Sequence, residues 1–229
     1  MNNNHITDIF FDLDHTLYDF DKNSALTFQD IFRNLDLQVS EDFMTHFKPI
    51  NDYYWEKLSR NEISHEYLRI ARLKDTFQKI HVEVSDQQIT EIAERFMDNL
   101  VKYTHIFEGA HESLNYLKKK YRLHIITNGP DRVQWAKLKN TGLDIYFETL
   151  TNSELSGVKK PNPGIFTYAL HAANVSAQNS IMIGDNWEAD VQGARNVGMN
   201  VIWFNVSETS NSLEDVREIK HLLELQTLL

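Results

Sequence analysis

The stretch IFFDLDHTLYDF, Ile9–Phe20, decides the fold. It opens on three uninterrupted apolar residues, Ile9, Phe10 and Phe11. A short apolar run bounded by polar residues reads as a strand buried on both faces. Asp12, Asp14 and Thr16 then follow at alternate positions, with Leu13 between the acids. If the strand continues through Leu13, side chains at i and i+2 share a face. Asp12 and Asp14 then project together at its carboxyl end, which is where ligands bind in an open α/β sheet. Two carboxylates after three large hydrophobes are costly unless something offsets their charge. The plain alternative, a solvated acidic loop, loses ground as the rest of the chain is read.

From Lys22 to Tyr103 there is no glycine and one proline, Pro49. Ile70, Leu73, Phe77 and Ile80 recur at spacings of three and four, as do Ile89, Ile92, Ala93, Phe96 and Leu100. Both patterns are amphipathic helices, and Ser85 with Gln88 forms a capping box at the start of the second. A further helix passes through Phe43 and Phe47, and Pro49 is expected to kink or end it before Tyr54 and Leu58. Asp19 and Asp21 read as caps of the first helix of this block. The block is a small helical bundle, and Tyr53, Tyr54 and Trp55 read first as its core, with stacking on a nucleobase as the alternative.

After Gly109 strands and helices alternate. Strands are expected at Leu123–Ile126, Phe147–Leu150, Ile181–Ile183 and Val201–Phe204, separated by helices through Leu114 and Leu117, Val133 and Leu138, Phe166 and Leu170, and Val191 and Ala194. Gly142 is a C-terminal cap, and Pro161 and Pro163 open the helix that follows them. The tail from Leu213 to Leu229 reads as helical late on, with either helix or a short strand at Arg217–Ile219. Strands joined by single helices make βαβ units and a mainly parallel sheet. Ile9–Leu13 must join that sheet, so the bundle is an insertion. The fold class is α/β: a Rossmann-like, mainly parallel sheet core, residues 1–17 and 105–229, with an inserted α-helical bundle cap domain, residues 18–104.

The chain has 229 residues, 41% hydrophobic and 24% charged, the balance of a soluble globular protein. Its net charge of −10 argues against binding a nucleic acid polymer through surface charge. It contains no cysteine, which excludes disulfides, thiolate zinc sites and a thiol nucleophile. MNNNHITDIF lacks the pattern of a secretory signal, and no stretch approaches the roughly 18 apolar residues of a membrane span. A cytoplasmic protein with no membrane partner is expected, and its oligomeric state is not readable.

Four polar sets follow strands in the same sense: Asp12 with Asp14, Thr127 with Asn128, Lys160, and Asp185 with Asp190. Parallel strands put their carboxyl ends on one edge, so distant segments converge there. Two like charges about 4 Å apart repel by about 4 kcal/mol at an effective dielectric near 20. Asp12, Asp14 and Asp185 together therefore call for a cation, and all-oxygen ligation points to magnesium. With that ion and Lys160 the site suits a phosphoryl group, with Thr127 offering a hydroxyl and Asn128 amide donors. Gly129 lets backbone approach closely. A carboxylate there can act as nucleophile and form an aspartyl-phosphate. Asp14 is placed to move the proton, which requires its pKa to be raised by neighbouring carboxylates and burial.

At these residues the chain resembles the haloacid dehalogenase superfamily of phosphohydrolases. The matching pieces are DLDHT (Asp12–Thr16), ITNG (Ile126–Gly129), VKKPNPGIF (Val158–Phe166) and GDNWEAD (Gly184–Asp190). The resemblance implies Asp12 as nucleophile, Asp14 as general acid/base, and Thr127 and Lys160 as phosphoryl ligands. Lys159 is an alternative to Lys160, which matches better as the residue directly before Pro161. The resemblance further implies Mg2+ held by Asp12, the main-chain carbonyl of Asp14, and Asp185, with Asp190 supporting the metal site. The bundle is similar to the helical cap of one branch. The dehalogenases of the superfamily lack the second aspartate, so Asp14 favours a phosphatase. YDFD (Tyr18–Asp21) and NDYYWEKLSRNEIS (Asn51–Ser64) resemble the pyrimidine and non-standard nucleoside monophosphate 5′-nucleotidases. A small phosphomonoester is then the substrate, with a nucleoside 5′-monophosphate first. A phosphosugar phosphatase or phosphomutase is the alternative. A haloacid dehalogenase and a phospho-accepting signalling domain stand further off.

Overall fold

The computed structural model describes residues 6–206 and 215–229. In chain order the elements are β1 (Asp8–Phe11), α1 (Phe20–Asn34), α2 (Phe43–Ser59), α3 (His65–Lys79), α4 (Asp86–Asn99), α5 (Ala110–Leu117), β2 (Arg122–Thr127), α6 (Asp131–Thr141), β3 (Thr149–Asn152), α7 (Ser153–Ser156), α8 (Pro163–Ala173), β4 (Ser180–Gly184), a π-helical turn (Trp187–Gln192), α9 (Gly193–Asn196), β5 (Asn200–Phe204), β6 (Arg217–Ile219) and α10 (Leu225–Leu228). They form two compact units, Met1–Asp19 with Thr104–Leu229, and Phe20–Tyr103. Among the described residues no helix is long and apolar enough to cross a membrane.

The first unit is built on one parallel sheet in the order β3-β2-β1-β4-β5-β6. β1 is central and its residues are buried, as the apolar run at Ile9–Phe11 requires. Phe11 pairs with Ile125 of β2 and Ile183 of β4. On one face Phe10, Ile126, Met182 and Trp203 pack with Ile165, Phe166 and Ala169 of α8 and Ala194 of α9. Gly142 ends α6 with φ 70°, a left-handed conformation that glycine adopts without strain. Arg217–Ile219 is a strand, parallel to β5 at the sheet edge. The start of the expected tail element, Leu213, lies outside the described residues.

The strands run one or two residues beyond or short of expectation. β1 ends at Phe11 rather than Leu13, although Asp12 N still donates to Ile183 O at 2.9 Å. The chain then turns back, because both Leu17 N and Tyr18 N donate to Leu13 O. The third strand is Thr149–Asn152 rather than Phe147–Leu150.

The helical unit is closed by aromatic packing. Phe28 stacks on Phe96 at 4.4 Å between ring centroids and meets Phe47 edge-on at 4.8 Å. Phe43 and Phe77 join them at 5.5 Å. The Ser85–Gln88 capping box opens α4, and Ser64 caps α3 by accepting from Tyr67 N at 3.1 Å. Pro49 neither ends nor splits its helix: α2 runs unbroken from Phe43 to Ser59. Phe43 and Phe47 before the proline, and Tyr54 and Leu58 after it, are all buried, and this packing offsets the roughly 3 kcal/mol a mid-helix proline costs. Tyr54 is core and donates to Asp75 at 2.6 Å, Trp55 packs partly buried against that cluster, and Tyr53 is exposed. Asp21 lies inside the first turn of α1 and pairs with Lys48 at 2.7 Å.

Candidate active site

The carboxyl edge of the sheet gathers the strand-end residues. Lys160 follows α7 in a loop, yet its ammonium is buried under the sheet edge. It donates to Asp12 Oδ1 at 2.6 Å, to Asp190 Oδ1 at 2.6 Å and to Ile126 O at 2.9 Å. Asp185 stands beside them: one carboxylate oxygen from each of Asp12, Asp185 and Asp190 lies within 4.8 Å of the others. Thr16 Oγ1 donates to Asp185 Oδ1 at 3.1 Å, and Trp203 Nε1 donates to Asp185 O at 2.8 Å. Asp190 reaches inward from the π-helical turn, where its Oδ2 accepts from Asn186 N at 3.0 Å. It fits because residue 184 is glycine: a Cβ there would stand 2.3 Å from Asp190 Oδ2. Lys160, the residue before Pro161, is thus the lysine seated at Asp12.

The charges do not balance. Three carboxylates share the Lys160 ammonium, and burial denies them water. Burial pushes the Asp12 carboxyl up to about 7, with the charges of Asp190 and Asp14 adding to it and Lys160 opposing. Burial, then Asp190 and Asp12, hold Asp185 well above the usual carboxylate range. Burial opposes the Lys160 ammonium, but Asp12 and Asp190 outweigh it and raise its pKa. These residues fit a hard divalent cation: the donors are all oxygens, they converge, and their excess charge is negative.

Asp14 departs from expectation. It does not lie with Asp12 on Lys160; instead Lys137 Nζ donates to its Oδ1 at 2.5 Å and Gln134 Nε2 to its Oδ2 at 2.9 Å. Its pKa is not raised. Burial works against its charge, but Lys137, first by charge and then by hydrogen bond, and Gln134 outweigh burial and lower it. Thr127 ends β2 with its hydroxyl buried beside Gln134. Its Oγ1 accepts from Gln134 Nε2 at 2.6 Å and from Gly129 N at 3.3 Å, which leaves its own proton to donate.

Asn128 holds the loop that carries Lys160. Its Nδ2 donates to Lys160 O at 3.0 Å and its Oδ1 accepts from Lys160 N at 2.8 Å, so it clamps the Lys160 backbone. Gly129 admits the Gln134 carboxamide, which a Cβ would meet at 2.5 Å. Gln134 and Lys137 were not singled out from the sequence. The signal was present: they share the buried side of α6 with Val133 and Leu138, where apolar residues are the rule.

The sequence matches the haloacid dehalogenase-like hydrolase family model over residues 8–198. It is 30% identical over 224 residues to pyrimidine 5′-nucleotidase YjjG of Escherichia coli, covering 96% of each chain. It is 33% identical over 198 residues to a glyceraldehyde 3-phosphate phosphatase of Pyrococcus furiosus, covering 86% of this chain and 79% of that one. The fold superposes on Bacillus subtilis YfnB, solved bound to magnesium, with a TM-score of 0.88 at 24% identity and 98% of both chains covered. A family match that takes in every strand from β1 to β4, with relatives of this similarity along most of the chain, shows that this protein belongs to the haloacid dehalogenase-like hydrolases.

Proposed function

We propose that this hydrolase is a magnesium-dependent phosphatase that cleaves a small phosphomonoester through an aspartyl-phosphate on Asp12, with a nucleoside 5′-monophosphate as the first substrate class. The observation that carries the reading is Lys160 bridging Asp12 and Asp190 at 2.6 Å beside Asp185. Asp12, the main-chain carbonyl of Asp14, and Asp185 would hold the ion, with Asp190 in support. Bound there, it supplies positive charge against the phosphoryl oxygens and the acids.

The chain's own residues supply the rest. Lys160 holds Asp12 in place and adds a positive charge for the transferring group. Thr127 donates its hydroxyl proton to a phosphoryl oxygen. An Asp12 oxygen bonds to phosphorus, the bond to the leaving oxygen breaks, and that oxygen takes the electron pair and a proton that Asp14 relays from solvent. Water then attacks phosphorus while Asp14 takes its proton, the Asp12–phosphorus bond breaks, and inorganic phosphate leaves. The carboxylate at Asp14 supports phosphate-ester rather than carbon–halogen cleavage.

The Escherichia coli relative supports a nucleotide substrate, and the Pyrococcus furiosus relative supports a phosphosugar as the second reading. Phosphate release from a panel of nucleoside monophosphates and sugar phosphates, with magnesium and with chelator, separates them. Preference for nucleoside monophosphates with magnesium is expected. Preference for sugar phosphates removes the nucleotidase reading and keeps the phosphatase. Turnover unchanged by chelator removes the metal.

A further inference from the structure

We propose that Gln134 and Lys137, one turn apart on α6, are positioning residues that fix the Asp14 carboxylate beside Thr127 for hydrolysis of the phosphorylated enzyme; this rests on the functional reading above. Each oxygen of Asp14 is held by a different buried donor, Lys137 on Oδ1 at 2.5 Å and Gln134 on Oδ2 at 2.9 Å. The carboxylate can therefore neither rotate nor swing without breaking a charge-assisted bond. Each oxygen keeps a second lone pair, so the group can still accept a proton.

Gln134 does more than hold Asp14. The same Nε2 donates to Thr127 Oγ1 at 2.6 Å, so one nitrogen ties the proton acceptor to the phosphoryl ligand. The carboxamide keeps this orientation although its Oε1 is buried without a hydrogen-bond partner. A flipped amide would point oxygen at the Asp14 carboxylate, which is repulsive. Gly129 makes the approach possible, since a Cβ there would collide with the Gln134 amide at 2.5 Å. Lys137 is in turn seated over the Tyr18 ring, 4.9 Å from its centroid, which fixes the ammonium from the side of the loop that carries Asp14.

Hydrolysis of the intermediate is the step that needs this geometry. Water bonds to phosphorus as Asp14 takes its proton, and the electron pair of the broken bond returns to Asp12. With p-nitrophenyl phosphate the first step makes no such demand, because nitrophenolate leaves without a proton. The two steps can therefore be read apart.

The experiment is rapid-mixing kinetics with p-nitrophenyl phosphate and magnesium on wild type, Lys137→Met, Lys137→Arg and Gln134→Met, with intact-mass detection of phosphorylated enzyme. In the two Met variants steady turnover is expected to fall about 10- to 100-fold. The first nitrophenolate should still leave quickly, in a burst approaching one per enzyme, and phosphorylated enzyme should accumulate. Lys137→Arg, which keeps the charge and donors, should recover part of the turnover. If first step and turnover fall together in both Met variants without phosphorylated enzyme, or if both variants turn over like wild type, the proposal is overturned. Wild type that turns over no phosphomonoester overturns the functional reading and this proposal with it.

Discussion

β1 carries a charge network at each end, and the two differ in balance. At its amino end, Asp8 accepts from Arg122 Nη2 at 3.0 Å and Thr7 Oγ1 at 2.6 Å, and is hydrogen-bonded to His124 Nε2 at 2.9 Å. His124 is bonded on its other side to Thr149 Oγ1 at 2.9 Å and stacks on Phe10 at 4.7 Å. One carboxylate there meets a guanidinium, an imidazole and a hydroxyl. At the carboxyl end, three carboxylates meet the Lys160 ammonium. The strand is the same; the sums of charge are not. A matched buried network pins strands together and needs nothing further. An unmatched one is completed by a ligand, and that asymmetry supports the carboxyl edge as the functional end of the sheet.

The contrast is broken most strongly at Asp12. Asp12→Asn should lower phosphate release at least about 1000-fold while circular dichroism stays that of wild type, since it would remove the proposed nucleophile and lessen a repulsion. Turnover close to wild type would end the covalent account. Gly184→Ala should follow, with release down about 10- to 100-fold, because the new Cβ must push Asp190 off Lys160. Asp8→Asn reads the other end: stability in urea should fall by about 1–2 kcal/mol, as charge-assisted hydrogen bonds to a buried carboxylate are lost, with kcat and KM little changed. A large loss of kcat without loss of stability would erase the distinction between the ends.

The smallest effect is a pH dependence. Burial lowers the His124 pKa below the ordinary imidazole value of 6.5, and Asp8 only partly opposes it. The unfolded chain then binds more protons than the folded one as pH falls through 6.5, so stability declines in that direction. Urea midpoints of wild type should drop below about pH 6.5 more than those of His124→Gln. Equal slopes would remove this histidine as a cause.

The same contrast explains what could be read from residues alone. Asp12, Lys160 and Asp185 stand directly after apolar strands or next to proline and glycine, where charge is conspicuous, so their convergence followed from parallel topology, and Asp190 came with Asp185 in the GDNWEAD stretch. Asp8 escaped notice because it begins a strand, where a polar residue looks like a loop end, and His124 because it is a lone polar residue inside an otherwise apolar run. Gln134 and Lys137 escaped because polar side chains are commonplace on a helix, although Val133 and Leu138 mark the face they share. The lowered pKa of Asp14 follows from that omission: without Lys137 in view, its surroundings looked purely acidic. The continuity of α2 through Pro49 has the same kind of cause, since aromatic packing on both sides overrides a local breaker.

On the proposed reading, the carboxyl end holds excess negative charge that a divalent ion would complete. Thermal unfolding of wild type and Asp185→Asn, each in chelator and in millimolar magnesium, tests it without reference to any substrate. In chelator the variant should be the more stable of the two, because a repelling carboxylate is gone. Magnesium should raise the wild-type midpoint by about 5 °C or more and leave the variant nearly unmoved, reversing the order. A wild-type midpoint indifferent to magnesium, or a variant that shifts as far as wild type, would contradict the account.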